Sequence, residues 1–273
     1  MRGLLLLVLV LLASGLPAQG QAGATLRELI GARSSALAGA GVALQGATLP
    51  NPASAVGSPA ALHLYADRAF GLSELQLVGA QGTLPTRVAA FRLDAASFGY
   101  EDFRAVQLAL GAARGFRFGT SRTVQAGLVL AYHHLALGGD YGSAGALSVD
   151  AGLRTSLTPR LAGGMRATNL FRGRLAGAEP LPRRLVVGVA YAVDPRVTVV
   201  ADVQQEVRAA TGFAAGIEAR IAGPLTVRAG AGSGPQRLAL GFGVRAGRLV
   251  AEGAFSRHEA LGWTPAVALG VGF

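Results

Sequence analysis

Six charged residues stand on the polar face of alternating segments: Arg166, Asp202, Glu218, Arg220, Arg228 and Glu252. Their immediate neighbours are mostly apolar or small, so a sheet would gather them on one face, where they could pair across neighbouring strands. Left unpaired, they would be costly wherever water is excluded. Other residue types capable of chemistry do not assemble. His133 and His134 close an alternating segment, and adjacent strand residues point to opposite faces, so the two cannot converge on one metal without a bulge. They read as a solvated interfacial pair. His63 and His258 have no ligand-spaced partner, and Ser73-Glu74 has no nucleophile–base context. Gly241-Phe-Gly243 lies within a strand pattern and leads into no helix, which excludes a phosphate loop. No catalytic residue, cofactor or metal ligand is assigned, and the chain is expected not to be an enzyme.

The elements that position these charges are strands. Leu238, Leu240, Phe242 and Val244 alternate with Ala239, Gly241, Gly243 and Arg245; Val197, Val199, Ala201 and Val203 alternate with Thr198, Asp202 and Gln204. Segments of this kind fall at 61–70, 72–81, 85–93, 103–113, 122–134, 143–156, 159–169, 182–193, 196–207, 211–221, 224–232, 236–245, 248–256 and 263–273. Most have the 9–11 residues of a tilted membrane strand. Short joints such as Val193-Asp194-Pro195 and Ala222-Gly223-Pro224 predict antiparallel hairpins. The fold class expected is therefore all-β: an antiparallel transmembrane barrel of about 14 strands over 61–273. Tyr65, Phe70, Tyr132, Tyr191, Phe255 and Trp263 near strand ends predict aromatic girdles. Residues 23–60 lack alternation; Leu26, Ile30, Leu37 and Val42 are loosely at helical spacing, which predicts a short N-terminal helical plug or leader. A 14-stranded interior exceeds what side chains fill, so a plug or water must occupy it.

The composition supports an exported barrel. Arg2 and the apolar run Leu4–Leu12 form a signal peptide over 1–22, with cleavage after Ala18 or Ala22; nine apolar residues are too few to span a bilayer. The chain has no cysteine, so lipid attachment at cysteine, disulfides and cysteine-based metal sites are excluded. Hydrophobic residues make up 51%, yet none of their runs beyond the signal is long enough for a helical span. Net charge is +10 from arginines that are dispersed, with no aromatic interleaving, which argues against nucleic acid. A positive lumen or rim facing lipopolysaccharide fits better, in a Gram-negative-type outer membrane.

Four local patterns resemble the PorV/PorQ-like outer-membrane barrels, distant relatives of the FadL transporters. They are Gly31-Ala-Arg33-Ser-Ser-Ala-Leu-Ala-Gly-Ala40-Gly41-Val-Ala43 followed by Asn51-Pro52-Ala53; Met165-Arg-Ala-Thr-Asn169-Leu170; Gly216-Ile-Glu218 with Pro224-Leu-Thr-Val-Arg228-Ala-Gly230; and Leu240-Gly-Phe-Gly-Val244 running on to Phe273. The resemblance implies that Gly31, Arg33, Gly41, Asn51 and Pro52 form the leader motif. It also implies a secretion accessory or cargo carrier that contacts type IX secretion components. Two other expectations stand beside it: a FadL-like transporter or porin for hydrophobic small molecules, and a structural barrel with a packed lumen. A terminal Phe after an alternating strand is the usual signal to the barrel assembly machinery. Deleting Phe273 should therefore impair outer-membrane insertion while leaving export intact, as read by fractionation; normal insertion of the truncated chain would refute that role.

Overall fold

The computed structural model describes residues 31–273 except 47, 119–121, 176–178 and 208. The expected signal peptide and residues 23–30 of the expected plug lie outside the described residues. Fourteen antiparallel strands close into a ring. They are β1 (Ala61–Arg68), β2 (Gln76–Pro85), β3 (Ala90–Tyr100), β4 (Phe103–Phe118), β5 (Arg122–Leu137), β6 (Ser143–Ser156), β7 (Leu161–Ala167), β10 (Arg184–Ala192), β11 (Val197–Glu206), β12 (Gly212–Ala222), β13 (Leu225–Gly232), β14 (Arg237–Ala246), β15 (Leu249–His258) and β16 (Gly262–Gly272). Two further short strands, β8 (Arg174–Leu175) and β9 (Glu179–Pro180), pair only with each other within the β7–β10 connection. The ring closes where β1 meets β16, in register from Ala61↔Gly272 to Asp67↔Ala266. Closure leaves no sheet edge with unpaired backbone groups.

Side-chain size decides which face of each strand looks outward. In β16, Val267 and Leu269 are 58% and 63% exposed, whereas Ala266 and Ala268 between them are 4% and 6% exposed. In β14, Leu238, Leu240 and Phe242 face outward and Ala239 is buried. The barrel thus carries an apolar outer band and a lumen lined by small residues, the inverse of a soluble barrel with an apolar core. One end holds Ala61 and Gly272 and has connections of at most four residues; we call it the terminal end. The opposite loop end carries the longest connection, residues 168–183.

Residues 31–60 fill the terminal half of the lumen. Helix α1 (Ala32–Ala36) is only five residues long and is followed by Ala38 and Gly39 at positive φ (54° and 84°), which ends it. A 3₁₀ turn at Pro52–Ala55 is capped by the Asn51 side chain, which accepts from the Ala53 N–H at 3.0 Å. The plug backbone lies directly against wall glycines. A methyl group at Gly230 would overlap the Leu37 backbone, at Gly164 the Val42 carbonyl, and at Gly127 the Pro52 carbonyl carbon.

Three expectations need correction. The second and third strands run 76–85 and 90–100 rather than 72–81 and 85–93, because 69–71 and 73–75 form 3₁₀ turns before β2 begins. Within the described residues 31–60 the loosely helical spacing yields a short helix and then turns, since this part packs on the wall through backbone instead of through one apolar stripe; Leu26 and Ile30 lie outside the described residues. Tyr65 and Phe70 do not join a girdle: Tyr65 turns inward and Phe70 lines the lumen, while Tyr132, Tyr191, Phe255 and Trp263 are exposed on the outer face. Replacing Gly230 by Val should cost about 1–3 kcal/mol through overpacking against Leu37. Gly82→Ala, at a position with nothing within 4 Å of a new Cβ, should be near neutral. Thermal unfolding followed by heat-modified gel mobility compares the two.

Candidate functional site

The plug is tied to the wall by a chain of charges. Arg33, on α1, donates from Nε to Glu218 Oε2 and from Nη2 to Glu218 Oε1, both at 2.9 Å. Glu218, on β12, also accepts from Arg228 Nε of β13 at 2.7 Å, and Arg228 Nη2 reaches Glu252 of β15 at 2.9 Å. The last contact crosses over β14 at Gly243, where the absence of a side chain leaves room for the guanidinium. Charges alternate along this line, so each buried carboxylate is compensated.

A second tie uses plug backbone. Asp202, on β11, accepts from the Gly41 N–H at 2.7 Å and the Val42 N–H at 2.9 Å. Gly41 has φ 121°, a region that side chains rarely adopt, and this turns both amides toward one carboxylate. Asn51 donates from Nδ2 to the Val42 carbonyl at 2.7 Å and to the Leu153 carbonyl of β6 at 3.0 Å. Pro52 lies against Gly127 and Gly152. Two wall arginines complete the seal: Arg92 donates to the Leu49 carbonyl and Arg154 to the Ala43 carbonyl, each at 2.8 Å.

Beyond the plug, toward the loop end, the lumen opens into a cavity of about 610 Å³. Ser35, Pro50 and Pro52 of the plug form its floor. Phe70, Leu75, Phe98, Phe103, Val129 and Leu181 supply apolar wall. The charged groups lining it are largely paired: Arg166 with Asp150 at 3.1 Å, Arg184 with Glu206 at 2.9 Å and Arg92 with Asp94 at 2.7 Å. The 168–183 connection folds inward to cover part of this space, burying Leu175 and Leu181 against Leu77, Phe98 and Leu135. Asn169, at φ 50°, makes that inward turn. Its side chain accepts from the Gly173 N–H at 2.7 Å and donates to the Leu181 carbonyl at 2.8 Å, and its own N–H donates to Asp150 at 3.0 Å.

The leader residues Gly31, Arg33, Gly41, Asn51 and Pro52 therefore come together in the plug, with Gly31 as the N-cap of α1. Of the six expected lumen charges, Glu218, Arg228 and Glu252 form one chain and Arg166 pairs across neighbouring strands. Asp202 binds plug backbone instead of a neighbouring strand. Arg220 does not join them: it is exposed at the terminal rim, where β12 has run past the plug and a register shift between Arg220 and Ala222 ends the regular ladder. Arg33, Arg92 and Arg154 were missed as wall-to-plug ties, since no spacing in the sequence links residues 43–185 positions apart. Phe273 is exposed, and its N–H donates to the Ala60 carbonyl at 2.9 Å beside the closing seam.

His133 and His134 do point to opposite faces, but only His134 is external, stacked on Tyr132 at 6.4 Å. His133 lines the cavity with Nε2 2.8 Å from Ser148 Oγ, which corrects the solvated reading. Ser148 thus holds the ring at Nε2, while among the described residues its Nδ1 has no hydrogen-bond partner and no carboxylate orients it as in a catalytic triad. Among the described residues no three His, Asp or Glu converge as metal ligands.

No protein-family model and no curated protein matches the chain in sequence. Solved structures do match in fold. The CymD monoaromatic hydrocarbon channel is 13% identical with a TM-score of 0.66, over 89% of this chain and 97% of its own. The toluene transporter TbuX of Ralstonia pickettii is 15% identical with a TM-score of 0.63, over 89% and 98%. A FadL homologue of Pseudomonas aeruginosa is 11% identical with a TM-score of 0.61, over 91% and 99%. The chain thus has the closed 14-stranded architecture of FadL-type outer-membrane barrels. The PorV/PorQ resemblance draws no support from these comparisons.

Because Glu218 serves both Arg33 and Arg228, Glu218→Ala should loosen the plug, at a cost of about 3–5 kcal/mol for a broken buried pair. Planar-bilayer recording should then show larger or more frequent openings than wild type. Unchanged closure would mean that the charge chain does not hold the plug.

Proposed function

We propose that this protein resides in the outer membrane and passes hydrophobic small molecules, without enzymatic chemistry. The observation that carries this reading is the apolar-walled cavity of about 610 Å³ above a plug that closes the other half of the lumen. A pocket of that size, with Phe70, Phe98 and Phe103 in its wall and Arg92, Arg166 and Arg184 held in ion pairs, suits a small apolar ligand better than a sugar or an ion. Because the flanking arginines already hold carboxylates, the site offers an incoming neutral molecule little electrostatic competition. The similar folds support the reading: they include a monoaromatic hydrocarbon channel and a toluene transporter. The cavity lies on the loop side of the plug with Ser35, Pro50 and Pro52 as its floor, so the ligand would be captured there before any movement of the plug.

A packed structural barrel is favoured by one observation, the dense tie of plug to wall. The secretion-accessory expectation rests on local sequence resemblance alone. Uptake of labelled toluene into cells with the protein in their outer membrane, against cells carrying empty vector, tests the proposal. Toluene should accumulate faster with the protein present, and uptake of a labelled hexose should be unchanged. Equal rates for toluene in both strains would overturn the transport reading and favour the packed barrel.

A further inference from the structure

The exposed arginines are not evenly divided between the two ends of the barrel. Around the terminal end, Arg87, Arg160, Arg196 and Arg248 sit in the β2–β3, β6–β7, β10–β11 and β14–β15 turns, and Arg114 projects outward near the end of β4. Arg117, Arg220 and Arg245 are exposed in the last residues of their strands at the same end. Among the described residues, Asp194 is the one exposed acid there, and its carboxylate already accepts the Arg196 and Val197 N–H groups. The loop end differs: among the described residues its exposed acids Glu74, Glu101, Asp102, Asp140 and Glu259 are matched by five exposed arginines, including Arg68 and Arg257. The asymmetry is therefore eight to one at one rim and even at the other.

We infer that the terminal rim is a collar for anionic phospholipid headgroups. Three observations favour a bilayer surface over an acidic protein. The arginines are spread around the circumference instead of clustering on one side. The turn arginines and Arg114 border the outer apolar band at Leu84, Phe116, Phe118, Leu157 and Ile221, all exposed, while Arg117, Arg220 and Arg245 stand on the lumen side of the same rim. Arg114 lies over the Phe116 ring at 5.8 Å, holding its guanidinium at the margin of that band, where a lipid phosphate would stand. Guanidinium groups bind phosphate in bidentate fashion and remain charged at any physiological pH. Short turns belong to the periplasmic side of such barrels and long loops to the outside. The collar therefore meets the periplasmic leaflet, not the lipopolysaccharide that the basic composition first suggested.

This inference rests on the membrane reading but not on the identity of the cargo. The test reconstitutes the full protein into vesicles of phosphatidylcholine with or without phosphatidylglycerol and measures lipid retained after detergent extraction, by native mass spectrometry. The wild type should retain phosphatidylglycerol over phosphatidylcholine by roughly tenfold, with the preference falling at high salt. The variant R87Q/R114Q/R160Q/R196Q/R248Q should lose most of that preference, and the loop-end variant R68Q/R104Q/R172Q/R174Q/R257Q should keep it. Insertion with no preference in the wild type, or equal loss in both variants, overturns the collar while leaving the membrane reading intact. Failure of the wild type to insert overturns both.

Discussion

A ring of fourteen strands encloses more space than its inward side chains can fill, and the remainder of this structure answers that constraint. Lipid forces closure, because it offers no hydrogen bonds to a free edge. Closure at this strand number then leaves a lumen, and many of the inward residues are alanine and glycine. They make the lumen wider still. The chain fills half of it with its own residues 31–60 and leaves the other half as a cavity.

Small inward residues and the plug are two aspects of one arrangement. Wall glycines admit the plug backbone to direct contact, which places amides and carbonyls of the plug within reach of wall carboxylates and guanidinium groups. Several buried polar groups of the plug are then satisfied by Asp202, Arg92 and Arg154 of the wall, and others by Asn51, Ser54 and short turns within the plug itself. This explains how a segment with five helical residues holds a defined shape. It also confines buried charge to a chain in which Arg33, Glu218, Arg228 and Glu252 alternate in sign, so that no member is left uncompensated.

The two ends of the barrel carry different work. At the loop end, Asn169 turns the 168–183 connection inward, so that Leu175 and Leu181 give the cavity part of its apolar wall. At the terminal end the turns are short and basic, and the plug leaves little open space. Together these features give the molecule a direction, with capture on one side of the plug and a charged rim on the other.

The alternation of single large residues with small ones was sufficient to predict a closed barrel, its strand number and most strand positions, because a period of two with one apolar face depends only on local neighbours. It also marked Glu218, Arg228, Glu252 and Arg166 as inward, and its absence set the segment before residue 61 apart, in which the resemblance picked out Gly31, Arg33, Gly41, Asn51 and Pro52. What local order could not contain is distance across the ring. That Arg33 meets Glu218, that Asp202 binds amides 160 residues away, and that His133 faces a cavity depend on where the plug lies against the wall. Arg220 has the same alternation as Glu218 yet ends in solvent, since the plug does not extend to the rim. The residue pattern decided the faces of the strands; only the tertiary structure decided how much of the lumen is filled, and by what.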